Sequence, residues 1–198
     1  MKYFIDCGAN KGADVLNFKN NYEFGEDNFW EEYKVYAIEA NPSLIPFLEV
    51  RLSKYDNVEV LNFAATVTDQ PVTFYLGTHT PSSSMMETKT LFMDNLIPTK
   101  VPALNLPVWI KENFSADDEI ILSMDIEGAE YDIIDNMFEN GTIDYIDKLY
   151  VEFHGDKLQG FNMMREMHMK KTLIDKFGDN CFIFEYYQHD KFQALNAL

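Results

Sequence analysis

The order of segments along the chain predicts an α/β fold built on a mostly parallel, doubly wound sheet. Short apolar runs that stop at turn residues or carboxylates alternate, from one end to the other, with amphipathic runs at helical spacing. No internal repeat and no Pro/Gly/Ser-rich linker interrupts the 198 residues, so one domain over 1–198 is expected. Glycines and carboxylates stand just after the apolar runs, where ligands bind in open α/β sheets.

The elements follow in order. KYFIDC (2–7) reads as a buried strand. GADVLNFKNNY then places Val15, Leu16 and Phe18 on one helical face. KVYAIEA (34–40) is a second strand, and NPSLIPFLEVRLSKY (41–55) a helix with Asn41 as N-cap and Pro42 at its first position. VEVLNFAAT (58–66) is a third strand, and the turn DQP leads into VTFYLG (72–77), a returning strand. Residues 78–105, with Ser82, Ser83 and Ser84 in succession and weak periodicity, read as a long irregular loop on the substrate side. PVWIKENF (107–114) is a helix, DEIILSMDIE (118–127) a fourth strand, and AEYDIIDNMFENG (129–141) a helix stopped by Gly141. KLYVEFH (148–154) is a fifth strand, FNMMREMHMKKTLIDKFG (161–178) a long helix and CFIFEYYQ (181–188) a last strand.

Composition narrows the function. The net charge of −17 repels phosphate backbones, and the lysines are scattered rather than gathered into a groove, so nucleic acid is not a favoured partner. The start MKYFIDCG meets Asp6 too early for a signal peptide, and no apolar run approaches the ~20 residues of a membrane helix. Cys7 and Cys181 lie in strand-like stretches and read as reduced thiols of a cytoplasmic protein.

Four stretches carry chemistry. Asp6, Gly8 and Gly12 close the first strand as Asp-x-Gly-x-x-x-Gly, which allows a tight turn and the approach of a ligand; Asn10 stands where a dinucleotide motif has its middle glycine. Glu39 ends the second strand, where an acid accepts both hydroxyls of a ribose. In SMDIEGAEY (123–131), Asp125, Glu127 and Glu130 converge after the fourth strand. Capping of the next helix accounts for part of this, but not for Asp125. YVEFHG (150–155) adds Glu152 and His154 on one face of the fifth strand. Asp125, Glu152 and His154 together suit holding a substrate hydroxyl and accepting its proton. The same set suits a divalent metal, but the base role is preferred and no residue is assigned to a metal. His79, His168 and His189 have no such company and read as surface or core residues.

FIDCGANKG, AIEANP, LNFAATVTD and MDIEGAEYDII followed by YVEFH resemble, in order across about residues 3 to 155, the FkbM family of S-adenosylmethionine-dependent methyltransferases. The resemblance implies a Rossmann-like class I methyltransferase fold with one antiparallel strand near the C-terminal edge. It also implies O-methylation of a sugar or another small hydroxylated molecule. Asp6, Gly8, Asn10 and Gly12 would surround the methionine part of the cofactor. Glu39 would hold the ribose with Asn41 beside it, and Ala64 and Ala65 would lie near the adenine. Asp125 would touch both cofactor and acceptor, with Glu127, Ser83 and Ser84 on the acceptor side. His154 would take the hydroxyl proton, oriented by Asp125 or Glu152. Ser123 stands where many members have Lys, and the chain starts directly at the first strand. Two alternatives stay open. One is RNA ribose methylation, for which no lysine stands at a matching strand end. The other is a non-catalytic domain that binds cofactor or a partner. The acceptor and the oligomeric state are not legible.

Overall fold

The computed structural model describes residues 1–20, 29–76, 97–158 and 160–184. Six strands form one sheet: β1 (Lys2–Cys7), β2 (Tyr33–Ile38), β3 (Val58–Leu61), β8 (Glu119–Met124), β9 (Lys148–Glu152) and β10 (Cys181–Phe184). Their spatial order is β10-β9-β8-β1-β2-β3 and every pairing within it is parallel. The chain leaves β1 in one direction through β2 and β3 and later fills the other side through β8, β9 and β10. The order therefore reverses at β1, and this is the switch point at which a doubly wound sheet opens a crevice.

Alternation along β1 sorts the core. Tyr3, Ile5 and Cys7 point to one face, where α4 (Leu106–Asn113), α5 (Glu130–Asn140) and α6 (Met163–Phe177) pack through Ile110, Ile134, Met137 and Leu173. Phe4 points to the other, where α1 (Ala13–Lys19), α2 (Phe29–Glu32) and α3 (Ile45–Leu52) pack through Val15, Phe18, Trp30 and Leu48. Each such aliphatic or aromatic side chain, taken from water, stabilises the fold by about 1.5–3 kcal/mol. On that second face a polar row also crosses the sheet: Asp6 is in register with Ser123, and Ser123 with Tyr150, and all three are buried.

Several expectations are corrected. The third strand stops at Leu61, because the Asn62 side chain donates to the carbonyls of Glu39 and Ala40 and turns the chain out of the sheet. Ala64 and Ala65 then belong to a separate strand, β4 (Ala64–Thr66), parallel to β7 (Ala103–Asn105). The irregular loop is shorter than expected at its C-terminal end. β6 (Ile97–Val101) pairs antiparallel with β5 (Val72–Leu76), and Val101 and Phe74 share a small core. This pair lies outside the six-stranded sheet, and it is the antiparallel pairing among the described residues. Asn41 does not cap α3. Its Oδ1 accepts from Ser43 N in a local turn, and the helix starts at Ile45. The four-residue α2 was not anticipated. Ser83, Ser84, His79, His189 and the end of the last expected strand lie outside the described residues.

One close approach ties β1 to β8 at the crevice. Gly8 has φ 91°, and a Cβ there would stand 1.9 Å from the Asp125 carbonyl oxygen. Gly141 also has a left-handed φ of 77° as the C-cap of α5, yet nothing lies within 4 Å of its missing Cβ. The two separate backbone strain from collision. Gly141→Ala should cost about 1–2 kcal/mol. Gly8→Ala should cost at least about 3 kcal/mol or prevent folding, because strain and overlap add. Urea unfolding of both variants checks this, and equal losses would mean that the contact between Gly8 and Asp125 relaxes freely.

Candidate active site

The crevice is walled by the segments that leave β1, β2, β8 and β9. After β1 the turn is held by Gly8 and Ala9, whose N–H groups both donate to the Ile38 carbonyl. Asn10 takes φ 46°, a left-handed value that asparagine tolerates. That turn meets Glu39. Glu39 Oε2 accepts from Asn10 N at 2.7 Å, and Oε1 accepts from Asn41 N at 2.7 Å. The carboxylate thus pins the glycine turn to the end of β2. Burial raises the Glu39 pKa, while the backbone donors at Asn41 and Asn10 oppose the rise. Asp6 is fully buried beneath the turn. Gly12 starts α1, and its missing Cβ faces Leu48 at 3.0 Å.

Across the switch point four carboxylates surround one imidazole. His154 is 1% exposed. Its Nε2 lies 3.3 Å from Glu152 Oε1, 3.5 Å from Asp125 Oδ1 and 3.6 Å from Glu127 Oε2. Its Nδ1 lies 3.2 Å from Glu130 Oε1, the oxygen that also accepts from His154 N at 2.9 Å. The other Glu130 oxygen accepts from Gly128 N, so this fully buried acid joins the start of α5 to the end of β9. Burial alone would lower the His154 pKa. The hydrogen bond to Glu130, the close Glu152 carboxylate and the charges of Glu130 and Glu127 outweigh it and raise the value to about 10. Glu127 reaches the imidazole from a backbone with φ 58°, a strained setting for a glutamate and one that local packing must hold. The Asp125 side chain is the most open of the group, at 31% exposure.

Asp125, Glu127, Glu152 and His154 thus converge as the sequence suggested, on one side of β1, and Asp6, Gly8, Asn10, Gly12, Glu39 and Asn41 gather on the other. Ala64 and Ala65 are buried in β4 beyond β3. Glu130, expected among the converging acids and in part as a helix-start carboxylate, is the partner of His154 Nδ1, and one residue of the site was not expected. Lys157, in the turn after β9, is buried and holds its ammonium 3.7 Å from Glu127 Oε2. A lysine does therefore reach the acids, from a turn rather than a strand end. Its spacing of three from His154 was the available signal. His168 is exposed on α6, and Cys7 and Cys181 are free thiols. Among the described residues no helix is long and apolar enough to cross a membrane.

The methyltransferase FkbM domain family matches residues 6–179. No curated protein and no solved structure matches the chain.

The setting of Glu39 has a consequence for stability. Its carboxyl is raised above the ordinary 4.5, so the folded state binds this proton more tightly than the unfolded chain does. Its stabilising contribution is present below the ordinary value and is lost as pH rises through the folded one. Glu39→Gln removes this titration. The unfolding free energy of wild type relative to the variant should therefore fall as pH rises from about 4 and level off above the folded value. Urea titrations between about pH 4 and pH 7 test this, and a difference that stays flat would show a carboxylate titrating as it does in water.

Proposed function

Because the chain belongs to the methyltransferase FkbM family, we propose that it transfers the methyl group of S-adenosylmethionine to a hydroxyl oxygen of a sugar or another small hydroxylated molecule. The observation that carries this reading is the contact between the two halves of the crevice. The Gly8 turn, expected to hold the cofactor, packs against the carbonyl of Asp125, which belongs to the cluster expected to hold the acceptor.

The residues present fit the cofactor. Each Glu39 oxygen accepts one N–H and keeps lone-pair capacity for a ribose hydroxyl. Asp6, Gly8, Asn10 and Gly12 would shape the turn around the methionine end, with Asn41 beside the ribose and Ala64 and Ala65 toward the base. The cofactor supplies a methyl group on a sulfonium, which is already a strong leaving group. The protein's task is then to align the acceptor oxygen and exclude water. Asp125, Glu127 and Glu152 would receive the acceptor hydroxyl and its proton, and Ser83 and Ser84 would complete the acceptor side.

In this proposal His154 positions the acids rather than taking the proton itself. It lies beneath them, and both of its nitrogens already face carboxylates. The free thiols accord with work in the reducing cytoplasm.

RNA ribose methylation is the second reading. The Lys157 ammonium beside Glu127 favours it by adding a cation to the acids. The charge of −17 opposes it.

The test is methyl transfer from labelled S-adenosylmethionine to a panel of sugars, polyols and short RNAs. Transfer to a sugar or polyol and not to RNA is expected. Asp125→Asn should lower turnover by about 10²-fold or more and leave S-adenosylhomocysteine affinity within a few fold by calorimetry. Unchanged turnover would remove Asp125 from the acceptor side, and RNA as the sole acceptor would make the second reading the first.

A further inference from the structure

We propose that the carboxyl ends of β8 and β9 form a divalent-cation site, with Asp125, Glu127 and the Nε2 of His154 as ligands, Glu152 beside the imidazole and Glu130 as the residue that aims it. A hard, oxygen-rich set with one imidazole suits Mn²⁺ best, then Mg²⁺.

Geometry carries the proposal. Nε2 is buried and makes no hydrogen bond among the described residues, yet three carboxylate oxygens stand around it at 3.3, 3.5 and 3.6 Å. Ligand atoms of Asp125, Glu127 and His154 all lie within 4.8 Å of one another. Neighbouring ligands on a six-coordinate cation with bonds of about 2.1–2.5 Å are separated by about 3.0–3.6 Å. The spacing around Nε2 is that of one edge of such a polyhedron.

The surroundings agree. Nδ1 is committed to Glu130, and Glu130 is fixed in turn by the N–H groups of His154 and Gly128. A carboxylate that holds one imidazole nitrogen while the other faces the metal is the usual support of a metal-bound histidine. Glu127 accepts a left-handed backbone to bring its oxygen to the cluster. Four carboxylates are gathered at a largely buried position, with the Lys157 ammonium at 3.7 Å from one of them. A divalent cation offsets the repulsion that remains.

The role of the cation rests on the methyl-transfer reading. Asp125 opens toward the crevice, so a coordination position there would take the acceptor hydroxyl. Bound to the cation, the O–H bond breaks more readily. The proton would pass to the carboxylate of Glu152, the oxygen's electron pair would form the bond to the methyl carbon, and the sulfur–methyl bond would break with its pair leaving on the thioether sulfur of S-adenosylhomocysteine.

Purified full-length protein, stripped with EDTA, would be titrated with MnCl₂ and followed by electron paramagnetic resonance. One bound Mn²⁺ per chain is expected, with spin-echo modulation from a directly coordinated imidazole ¹⁴N. Glu130→Gln should weaken binding by about 10–100-fold. No bound Mn²⁺, or bound Mn²⁺ without nitrogen modulation, overturns the site; both readings use wild-type protein. Calorimetry with S-adenosylhomocysteine on the same preparation separates the two proposals. S-adenosylhomocysteine binding without Mn²⁺ binding overturns the cation site alone. Nitrogen-coordinated Mn²⁺ without S-adenosylhomocysteine binding upholds the site and overturns methyl transfer.

Discussion

β1 hydrogen-bonds to β2 on one side and β8 on the other, in continuous parallel register along its whole length. Everything functional in this chain depends on that placement. Asp6 is level with Ala37 and with Ser123, so the three strands end together and their following segments diverge from one line. The divergence opens the crevice, and the absence of a Cβ at Gly8 lets its two walls touch at the Asp125 carbonyl. A slip of one residue would send every side chain of β1 to the opposite face and bury the wrong half of the strand.

The second organising constraint is electrostatic. The chain gathers carboxylates on both sides of the crevice, but it manages them differently. Glu39 is surrounded by backbone donors, so its charge is met by N–H groups and its orientation is fixed. Glu130 is likewise met by the N–H groups of Gly128 and His154, but Asp125, Glu127 and Glu152 crowd one imidazole with one ammonium beside Glu127, so negative charge is in excess there. Structural acids are normally satisfied in the first way. An excess of the second kind, supported by a strained Glu127, marks a place arranged to receive something positive or a polar hydrogen.

The fold was legible because strand and helix periods differ and the chain keeps each period cleanly. Glycines at 12 and 141 mark a helix start and a helix end, and both were readable. What misled was local chemistry that tertiary contacts override. Asn41 followed by Pro42 reads as a helix start, yet Asn41 caps a turn and lends its N–H to Glu39. VEVLNFAAT reads as one strand, yet Asn62 diverts it toward the carbonyls that end β2. In the site, Asp125, Glu152 and His154 were visible because they stand at or just past strand ends. Lys157 was not, because a lysine in a turn is an ordinary residue until a buried acid is seen beside it, and Glu130, though placed among the acids, gave no sign that it would hold the imidazole.

The sequence by itself determined the alternation of elements, hence the parallel sheet, and the chemical character of each strand end, since both follow from period and residue type along the chain. Only the tertiary structure decided which nitrogen of His154 faces which acid, that Glu39 clamps the glycine turn, and that Gly8 is required by the protein's own backbone as well as by any ligand. Apart from the neighbouring Glu152, those facts depend on distances between residues from 24 to about 120 positions apart, and such distances are set by how the strands pack rather than by anything written locally.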